Sequence, residues 1–322
     1  MAVKGEDGGV YGIPYTVEAY GIIYNNAIME KYFAMDGAVV QSVDEINSYD
    51  KLKEVVEDMT AKKKDLGIEG VFASTSLKTG EDWRWQTHLA NLPIYYEYKD
   101  NGVSDMDKIE FKYSDNYKKV FDLYLDNSVT EKGLLGSVDV ASSMAEFALG
   151  ECAMVQNGNW AWSQISEVDG NTVKAEDIKF MPIYFGVDDA NEGLCIGTEN
   201  YWCINKEASE ADIQATKDFL NWLTTDEKGK EYMYKSADDG GLGNAAPFTT
   251  FTEDERSDDP LAVEMYAWMD KGNSVSWNFT SFPSQTFKDD FGAALLQYAN
   301  GKMKWNEVQK LVVDEWASEK AK

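Results

Sequence analysis

Short apolar runs alternate with longer amphipathic stretches along most of this 322-residue chain. Residues 10–15, 20–25 and 70–73 have the length and residue types of buried strands, whereas residues 113–127 repeat their apolar side chains at helical spacing. Such alternation is typical of a sheet with helices packed on its faces. With 43% hydrophobic residues, the chain can bury a sizeable core. The sequence therefore predicts an α/β fold, of a length that suits two domains.

The same pattern extends to the rest of the chain. Strands are predicted at 152–155, 178–182 and 201–205, and helices at 44–67, 81–92, 140–149, 160–165, 209–225 and 226–234, with three more helical stretches before the C-terminus. A turn is predicted at 157–159 and a Gly-rich loop at 236–247. The loop contains a G-x-G-x-x-A match at 241–246, but a helix precedes it, so a dinucleotide site is not predicted there.

The charge of the chain excludes some classes of partner. Thirty Lys and Arg residues stand against 57 Asp and Glu residues, which gives a formal net charge of −27. Nucleic acids and anionic membrane surfaces are bound through Lys and Arg, so neither is predicted as a partner. Neutral ligands and an exported, soluble protein are compatible with this acidity.

Residues that bind metals are scarce. The cysteines Cys152, Cys195 and Cys203 form no C-x-x-C pair, and His88 is the single histidine. No metal and no cofactor is therefore predicted. No apolar run reaches the roughly 18 residues that span a bilayer, and the first ten residues lack the apolar stretch of a signal peptide.

Tryptophan carries more information. Six of the ten tryptophans stand beside polar residues in predicted turns: Trp83, Trp85, Trp160, Trp162, Trp202 and Trp277. An indole face beside hydrogen-bonding groups suits a sugar ring, whose C–H face stacks while its hydroxyls need partners. From these residues alone, sugar binding and plain packing stay equally open.

Two carboxylates offer an enzymatic alternative. Glu18 and Glu81 could serve as the acid and the nucleophile of a glycoside hydrolase, which needs two carboxyl groups at a defined separation. The sequence does not supply that separation, and 57 acidic residues make chance pairs abundant.

One segment resembles a known family. Residues 147–162, FALGECAMVQNGNWAW, resemble the helix–strand–turn segment of the extracellular solute-binding proteins (family 1) of ABC sugar transporters. The maltose/maltodextrin-binding branch is the most similar, with its pattern G-x-x-A-M-x-x-N-G-x-W-A-W. Residues 11–25 resemble the first hinge crossing of that family, and residues 219–227 its helix-pair segment. The resemblance implies a periplasmic-binding-protein-like (type II) fold, with two lobes joined by hinge crossings.

The resemblance also implies a set of ligand contacts. Trp160 falls where the family stacks an aromatic ring on glucose, and Trp83 falls where maltodextrin binders place a tyrosine. Glu18 and Glu81 fall on acidic positions that hydrogen-bond sugar hydroxyls. Trp162 belongs to the same motif as Trp160 and completes this set together with Trp277.

A further stacking position of the family has no tryptophan here. The register places Phe287 or Lys288 at that position, and Trp277 could replace the missing contact. The resemblance therefore indicates an oligosaccharide more firmly than a particular sugar.

The resemblance predicts an incomplete first lobe. In the family, the Tyr-Gly-Ile-Pro strand follows three earlier strands and their helices, whereas here it starts at residue 11. A missing βαβαβ piece would comprise on the order of 100 residues and would hold the signal peptide and any lipid anchor. Lobe 1 is then expected to be a remnant, residues 1–19 and 197–250, and lobe 2 to be residues 20–196 and 251–322. Uncovered faces of the remnant predict self-association.

The function implied is that of the substrate-binding component of an ABC sugar importer. It would bind a maltodextrin-like or other oligosaccharide between the lobes, perform no chemistry and deliver the sugar to the permease subunits. The parent protein would be extracellular or periplasmic, and lipid-anchored at the cell surface if the organism is Gram-positive. The alternatives are the hydrolase with Glu18 and Glu81, and an interaction fragment that binds no sugar.

Overall fold

A computed structural model describes residues 3–5, 7–189, 192–236 and 239–322. The strands are β1 (Val3–Lys4), β2 (Val10–Pro14), β3 (Glu18–Asn25), β4 (Gly70–Phe72), β5 (Cys152–Gly158), β6 (Ile178–Met181), β7 (Leu194–Gly197), β8 (Tyr201–Trp202) and β9 (Ser274–Ser276). The α-helices are α1 (Asn26–Phe33), α2 (Tyr49–Ala61), α3 (Lys63–Leu66), α4 (Asn91–Asn101), α5 (Ser114–Asn127), α6 (Val140–Ala148), α7 (Ala161–Ser166), α8 (Glu210–Thr225), α9 (Glu227–Tyr234), α10 (Pro260–Asp270), α11 (Gln285–Ala299) and α12 (Trp305–Lys320). A π-helix spans Arg84–Leu89.

A six-stranded sheet is built around β3, which pairs along both of its edges. On one edge β5 runs antiparallel to it, with Tyr20 opposite Gly158 and Tyr24 opposite Met154. On the other edge β7 pairs with the start of β3, and β6 with its end. β4 extends the sheet beyond β5 and β9 extends it beyond β7, both in parallel.

Both faces of this sheet are covered by helices. Along β3, Tyr20, Ile22 and Tyr24 join a core on one face, whereas Ala19 and Ile23 join a second core on the opposite face. The side chains of a strand alternate between the two faces, so β3 serves both cores. The first core includes residues of α2, α4, α5, α11 and α12, and the second includes residues of α6, α7 and α10. These three layers confirm the predicted α/β class.

A second, smaller sheet has the antiparallel order β1-β2-β8 among the described residues. Helix α8 follows it and begins where the sequence predicts, since the Ser209 side chain accepts a hydrogen bond from the Asp212 amide. Phe219 and Trp222 on α8 remain 54% and 40% exposed.

The two sheets are joined by connections that lie side by side. Residues 15–17 join β2 to β3, and residues 198–200 join β7 to β8. The Tyr15 amide donates to the Asn200 carbonyl at 3.0 Å, and the Val17 amide donates to the carbonyl of Ala245, in the loop after α9, at 2.7 Å. These connections hold Glu18 and Glu199 at the junction of the two sheets.

The structure corrects three sequence predictions. The helix predicted at 44–67 is divided into α2 and α3, and Gly67 closes the second part with a φ of +77°. The turn predicted at 157–159 starts later, because Asn157 and Gly158 still pair with β3. The helix predicted at 81–92 is the π-helix, after which α4 runs on to Asn101.

Among the described residues, no helix combines the length and apolar character that crossing a membrane requires. The described residues also hold no group of three or more His, Cys, Asp or Glu side chains placed to bind a metal ion.

Candidate ligand-binding cleft

A cleft of about 400 Å³ opens beside the connections between the two sheets. Its walls come from the start of β3, the segment before and within the π-helix, the turn after β5, the β7–β8 connection and the start of α11. The lining residues are Glu18, Gly80, Asp82, Trp83, Gln86, Thr87, His88, Trp160, Glu199, Asn200, Gln285, Lys288 and Asp289.

Two tryptophans form an aromatic corner of the cleft. Trp160 lies two residues after the end of β5, and its ring centroid lies 6.1 Å from that of Trp83. Trp160 also packs against Tyr20, which is fully buried, with the rings 6.2 Å apart and 30° from parallel. The Tyr20 ring fixes the indole from the core side, so an edge or face of Trp160 is available to a ligand.

Three glycines allow side chains of the cleft to approach the backbone closely. A Cβ on Gly158 would lie 2.1 Å from the Trp160 ring, and a Cβ on Gly197 would lie 2.6 Å from Cβ of Trp277. On α11, a Cβ on Gly292 would lie 1.8 Å from the Asp82 carboxylate. These distances are too short for any other residue without a shift, so glycine at these positions determines where Trp160, Trp277 and Asp82 lie.

The π-helix brings polar side chains to the cleft. Its wider turn is visible where the Ala90 amide donates to the Trp85 carbonyl, five residues earlier, at 3.2 Å. Gln86, Thr87 and His88 in this turn all line the cleft. Single π-turns occur often at functional sites because they redirect side chains that an α-helix would spread around its axis.

His88 presents an unpaired hydrogen-bond acceptor. Its ring is 4% exposed, and Nδ1 lies 3.3 Å from the Trp83 carbonyl oxygen. A carbonyl oxygen only accepts, so Nδ1 carries the hydrogen and Nε2 of the neutral ring is an acceptor. Nε2 has no hydrogen-bond partner among the described residues and lies 4.0 Å from Oε2 of Glu199. Burial lowers the pKa of His88 to about 3, so the ring is neutral at physiological pH.

Carboxyl groups dominate the charge of the cleft. Burial, together with the Glu199 charge, raises the pKa of Glu18 to about 7. Burial also raises the pKa of Asp82 to about 6, with a contribution from Asp289. The pKa of Glu199 is raised by burial too, although Lys288 opposes this effect. Four carboxyl groups therefore share the cleft with a single Lys ammonium.

The raised pKa of Glu18 makes stability depend on pH. Below pH 4.5 the carboxyl group is protonated in both folded and unfolded states, whereas between pH 4.5 and about 7 only the folded state keeps the proton. The free energy of unfolding therefore falls as the pH rises through this window. Glu18→Gln should stabilise the protein by about 1–2 kcal/mol at about pH 8, and by much less below pH 4.5.

Urea unfolding of both proteins at the two pH values checks this expectation. The matched control is Glu207→Gln, which removes the same charge from a side chain that is 79% exposed. An equal gain in the control would attribute the effect to the net charge of the chain rather than to the cleft.

A buried arginine supports Trp83 from behind. Arg84 is 1% exposed, and its Nη1 donates to Oγ of Ser76 at 3.2 Å. The guanidinium carbon lies 5.3 Å from the centre of the Trp83 ring, within cation–π distance. Burial lowers the pKa of Arg84 to about 10, so the group remains charged at neutral pH.

The structure brings together three of the six predicted ligand residues. Glu18, Trp83 and Trp160 line the cleft. Trp277 does not line it, but it lies directly behind, with its ring 6.4 Å from Trp160 and 5.5 Å from His88.

The other two predicted residues, Glu81 and Trp162, contact other parts of the protein. Glu81 accepts a hydrogen bond from the Val140 amide, at the start of α6, at 3.3 Å. Trp162 packs against the second core, on the far face of the large sheet. Both lie outside the cleft lining, and their ligand roles stay predictions.

Several lining residues are not predicted from the sequence, and His88 is one of them. Of the two residues at the family's further stacking position, Phe287 is buried in the core and Lys288 lines the cleft. Asp82 neighbours the predicted Trp83, which is a local signal. Glu199 and Asp289 have none, because the fold alone brings them to the cleft.

Two sheets with a cleft at their connecting segments define the two-lobe architecture of solute-binding proteins. The family model described as "Bacterial extracellular solute-binding protein" matches residues 1–262. The chain therefore belongs to the bacterial extracellular solute-binding proteins. Membership makes it a substrate-binding protein rather than an enzyme, so the hydrolase alternative with Glu18 and Glu81 is wrong.

Solved structures share this fold at low sequence identity. A chitin oligosaccharide binding protein superposes with a TM-score of 0.72 at 19% identity, over 99% of this chain and 74% of its own length. The protein RafE in complex with raffinose superposes with a TM-score of 0.66 at 19% identity, over 98% of this chain and 74% of its own length. Maltose-bound MalE3 of T. maritima superposes with a TM-score of 0.64 at 18% identity, over 98% of this chain and 73% of its own length. Among curated protein sequences, none matches this chain.

Proposed function

We propose that this chain binds an oligosaccharide in the cleft as the substrate-binding component of an ABC importer and performs no chemistry on it. The observation that carries the proposal is the corner of Trp83 and Trp160 beside a ring of carboxyl and amide groups. Indole rings stack on the apolar face of a sugar, and the surrounding polar side chains serve its hydroxyl groups.

The position of the cleft fits the way such a component works. Glu18 and the Glu199–Asn200 pair stand on the connections that join the two sheets. A ligand held there contacts the large-sheet side of the cleft and a connecting segment, so closure of the smaller sheet over it would add contacts and favour the closed arrangement over the open one. Closure would then form the surface that the permease subunits recognise outside the cytoplasm.

The identity of the sugar stays open within this proposal. The resemblance at residues 147–162 favours a maltodextrin-like ligand. The structural neighbours include a chitin oligosaccharide binding protein and proteins in complex with raffinose, maltose and mannotriose. The lobe boundaries at 19/20, 196/197 and 250/251 and the self-association of the first lobe also stay predictions.

The test is a titration of the purified chain with a panel of trisaccharides, followed by calorimetry and tryptophan fluorescence. The panel contains maltotriose, raffinose, mannotriose, cellotriose and N-acetylated chitotriose. Saturable binding of at least one sugar, with a change in tryptophan emission, is the expected result. A folded chain that binds none of them would contradict the proposal and would leave the interaction fragment as the function.

Gly158→Ala should weaken the binding of whichever sugar binds best by about tenfold, roughly 1.4 kcal/mol. The added methyl group would lie 2.1 Å from the Trp160 ring, and the β5 backbone is held by its pairing with Tyr20, so the indole must move away from its stacking position. Calorimetric titration measures the change in affinity. Gly133→Ala is the control, since a Cβ there meets no atom within 4 Å. Unchanged affinity in Gly158→Ala would show that the position of Trp160 is not critical.

A further inference from the structure

The charged side chains of the cleft are mostly carboxyl groups. Glu18, Asp82, Glu199 and Asp289 contribute carboxyl groups, against the one ammonium of Lys288. One hydrogen of the Gln285 amide is used, because its Nε2 donates to Asp289 at 2.8 Å. Neutral donors such as the Asn200 amide also line the cleft, but its charges are mainly negative, so it favours a ligand with a positive charge.

His88 adds an independent observation. Its Nε2 is a buried acceptor without a partner among the described residues, and it lies 4.0 Å from the Glu199 carboxylate oxygen, which also accepts. One hydroxyl group has one hydrogen and satisfies only one of two neighbouring acceptors. An ammonium group has three hydrogens and satisfies both, with one left for a further carboxylate.

Aromatic rings surround the neutral, buried imidazole and can also contact a cation that lies in the cleft beside it. The rings of Trp83, Trp160, Trp277 and Phe279 lie within 4.7 to 5.7 Å of the imidazole centre. Aromatic faces attract cations through their quadrupole, and the attraction is stronger where water is excluded. The formal net charge of −27 steers cations towards the protein and repels anionic sugars.

We infer that the saccharide bound in this cleft carries a protonated amino group, as an amino sugar does, and that this ammonium group donates to His88 Nε2 and to the carboxylates of Glu199 and Glu18. The inference rests on the proposed function and specifies its substrate class. It favours an amino sugar over the neutral maltodextrin that the sequence resemblance indicates.

A matched pair of ligands tests the inference. Fully de-N-acetylated chitotriose and cellotriose share their β-1,4 linkages and differ only in the amino or hydroxyl group at C2. At about pH 6.5 and low salt, where an amine of this kind is protonated, the amino trisaccharide should bind at least about tenfold more tightly. Added salt should reduce this preference, because it screens the charge interaction.

Variants locate the preference in the cleft. Glu199→Gln keeps the shape and removes the charge, so the preference should fall to about threefold or less. Glu18→Gln, at the start of β3, should reduce it in the same direction, because a bound ammonium group lowers the raised pKa of Glu18 and leaves a carboxylate whose charge the amide lacks. Glu207→Gln removes an equal charge from an exposed side chain near β8 and should retain the full preference.

The outcomes separate this inference from the proposed function. Cellotriose that binds as tightly as the amino trisaccharide would overturn the inference and leave oligosaccharide binding intact. A preference that survives in both cleft variants would also overturn it, because the selectivity would then come from the general charge of the chain. Absence of binding by every sugar would instead overturn the proposed function.

Discussion

Trp160→Ala should reduce oligosaccharide affinity by about 100-fold, roughly 2.7 kcal/mol. The indole of Trp160 lies between the buried Tyr20 and the cleft. Its ring centroid is 6.1 Å from that of Trp83. Removing it takes away a stacking surface and leaves a water-filled gap beside the ligand. Because the ring is already fixed by its neighbours, a ligand does not have to order it, and its full contact energy contributes to binding.

Trp162→Ala is the matched control for this experiment. Trp162 is two residues further along the chain and packs against the second core, so its loss should lower stability but change affinity by less than about threefold. Calorimetry on both variants, with circular dichroism to confirm folding, separates the two effects. Equal losses of affinity in the two variants would show that the fold, rather than the Trp160 ring, controls binding.

Trp160 lines the cleft whereas Trp162 packs against the second core, and this difference follows from where helix α7 begins. Trp160 precedes the first residue of α7, and Trp162 lies within its first turn. Residues two positions apart on a helix point to nearly opposite sides, so both cannot face the same cleft. The motif identified the segment, whereas the helix boundary at Ala161 determines which ring faces the cleft.

Glu18 and Glu81 differ in the same way, since Glu18 lines the cleft and Glu81 does not. Glu18 opens β3 at the connection between the sheets, a position that the motif at residues 11–25 predicts. Glu81 lies next to the amide of Val140, at the start of α6. The first amides of a helix lack partners within the helix, and a nearby carboxylate satisfies one of them at low cost. That contact depends on a helix about 60 residues away, so the sequence alone could not have indicated it.

The remaining cleft residues were inaccessible to sequence reasoning for a different reason. His88 faces the cleft because a π-turn replaces an α-turn, a choice that local propensity does not reveal. Glu199, Lys288 and Asp289 become neighbours of Trp83 only when the large sheet and α11 are in place. The sequence predicts the α/β class and the strand β3. Contacts between residues about 100 to 200 positions apart along the chain follow from packing, which the sequence pattern does not reveal.

Trp316→Ala should lower the free energy of unfolding by about 3–5 kcal/mol. Trp316 on α12 is fully buried, and its Nε1 donates to the Met106 carbonyl at 2.9 Å. Its ring also packs edge-on against Phe282 and Phe287, each with a centroid distance of 5.4 Å. The substitution creates a cavity and leaves a carbonyl without its donor, and both effects destabilise the folded state. Urea unfolding followed by circular dichroism measures the loss.

Trp222→Ala provides the comparison, because it deletes the same side chain from α8, where it is 40% exposed, and should cost less than about 1 kcal/mol. Similar losses in the two variants would contradict the assignment of Trp316 to the core.

Phe287 links this core to the cleft, since it lies on the same helix as Gln285, Lys288 and Asp289. Trp316→Ala should therefore also weaken ligand binding by a few-fold in the protein that remains folded, because α11 loses the ring that holds its first turn. Full affinity in that variant would show that other contacts of α11, such as that of Gly292 with Asp82, are sufficient to position this wall of the cleft.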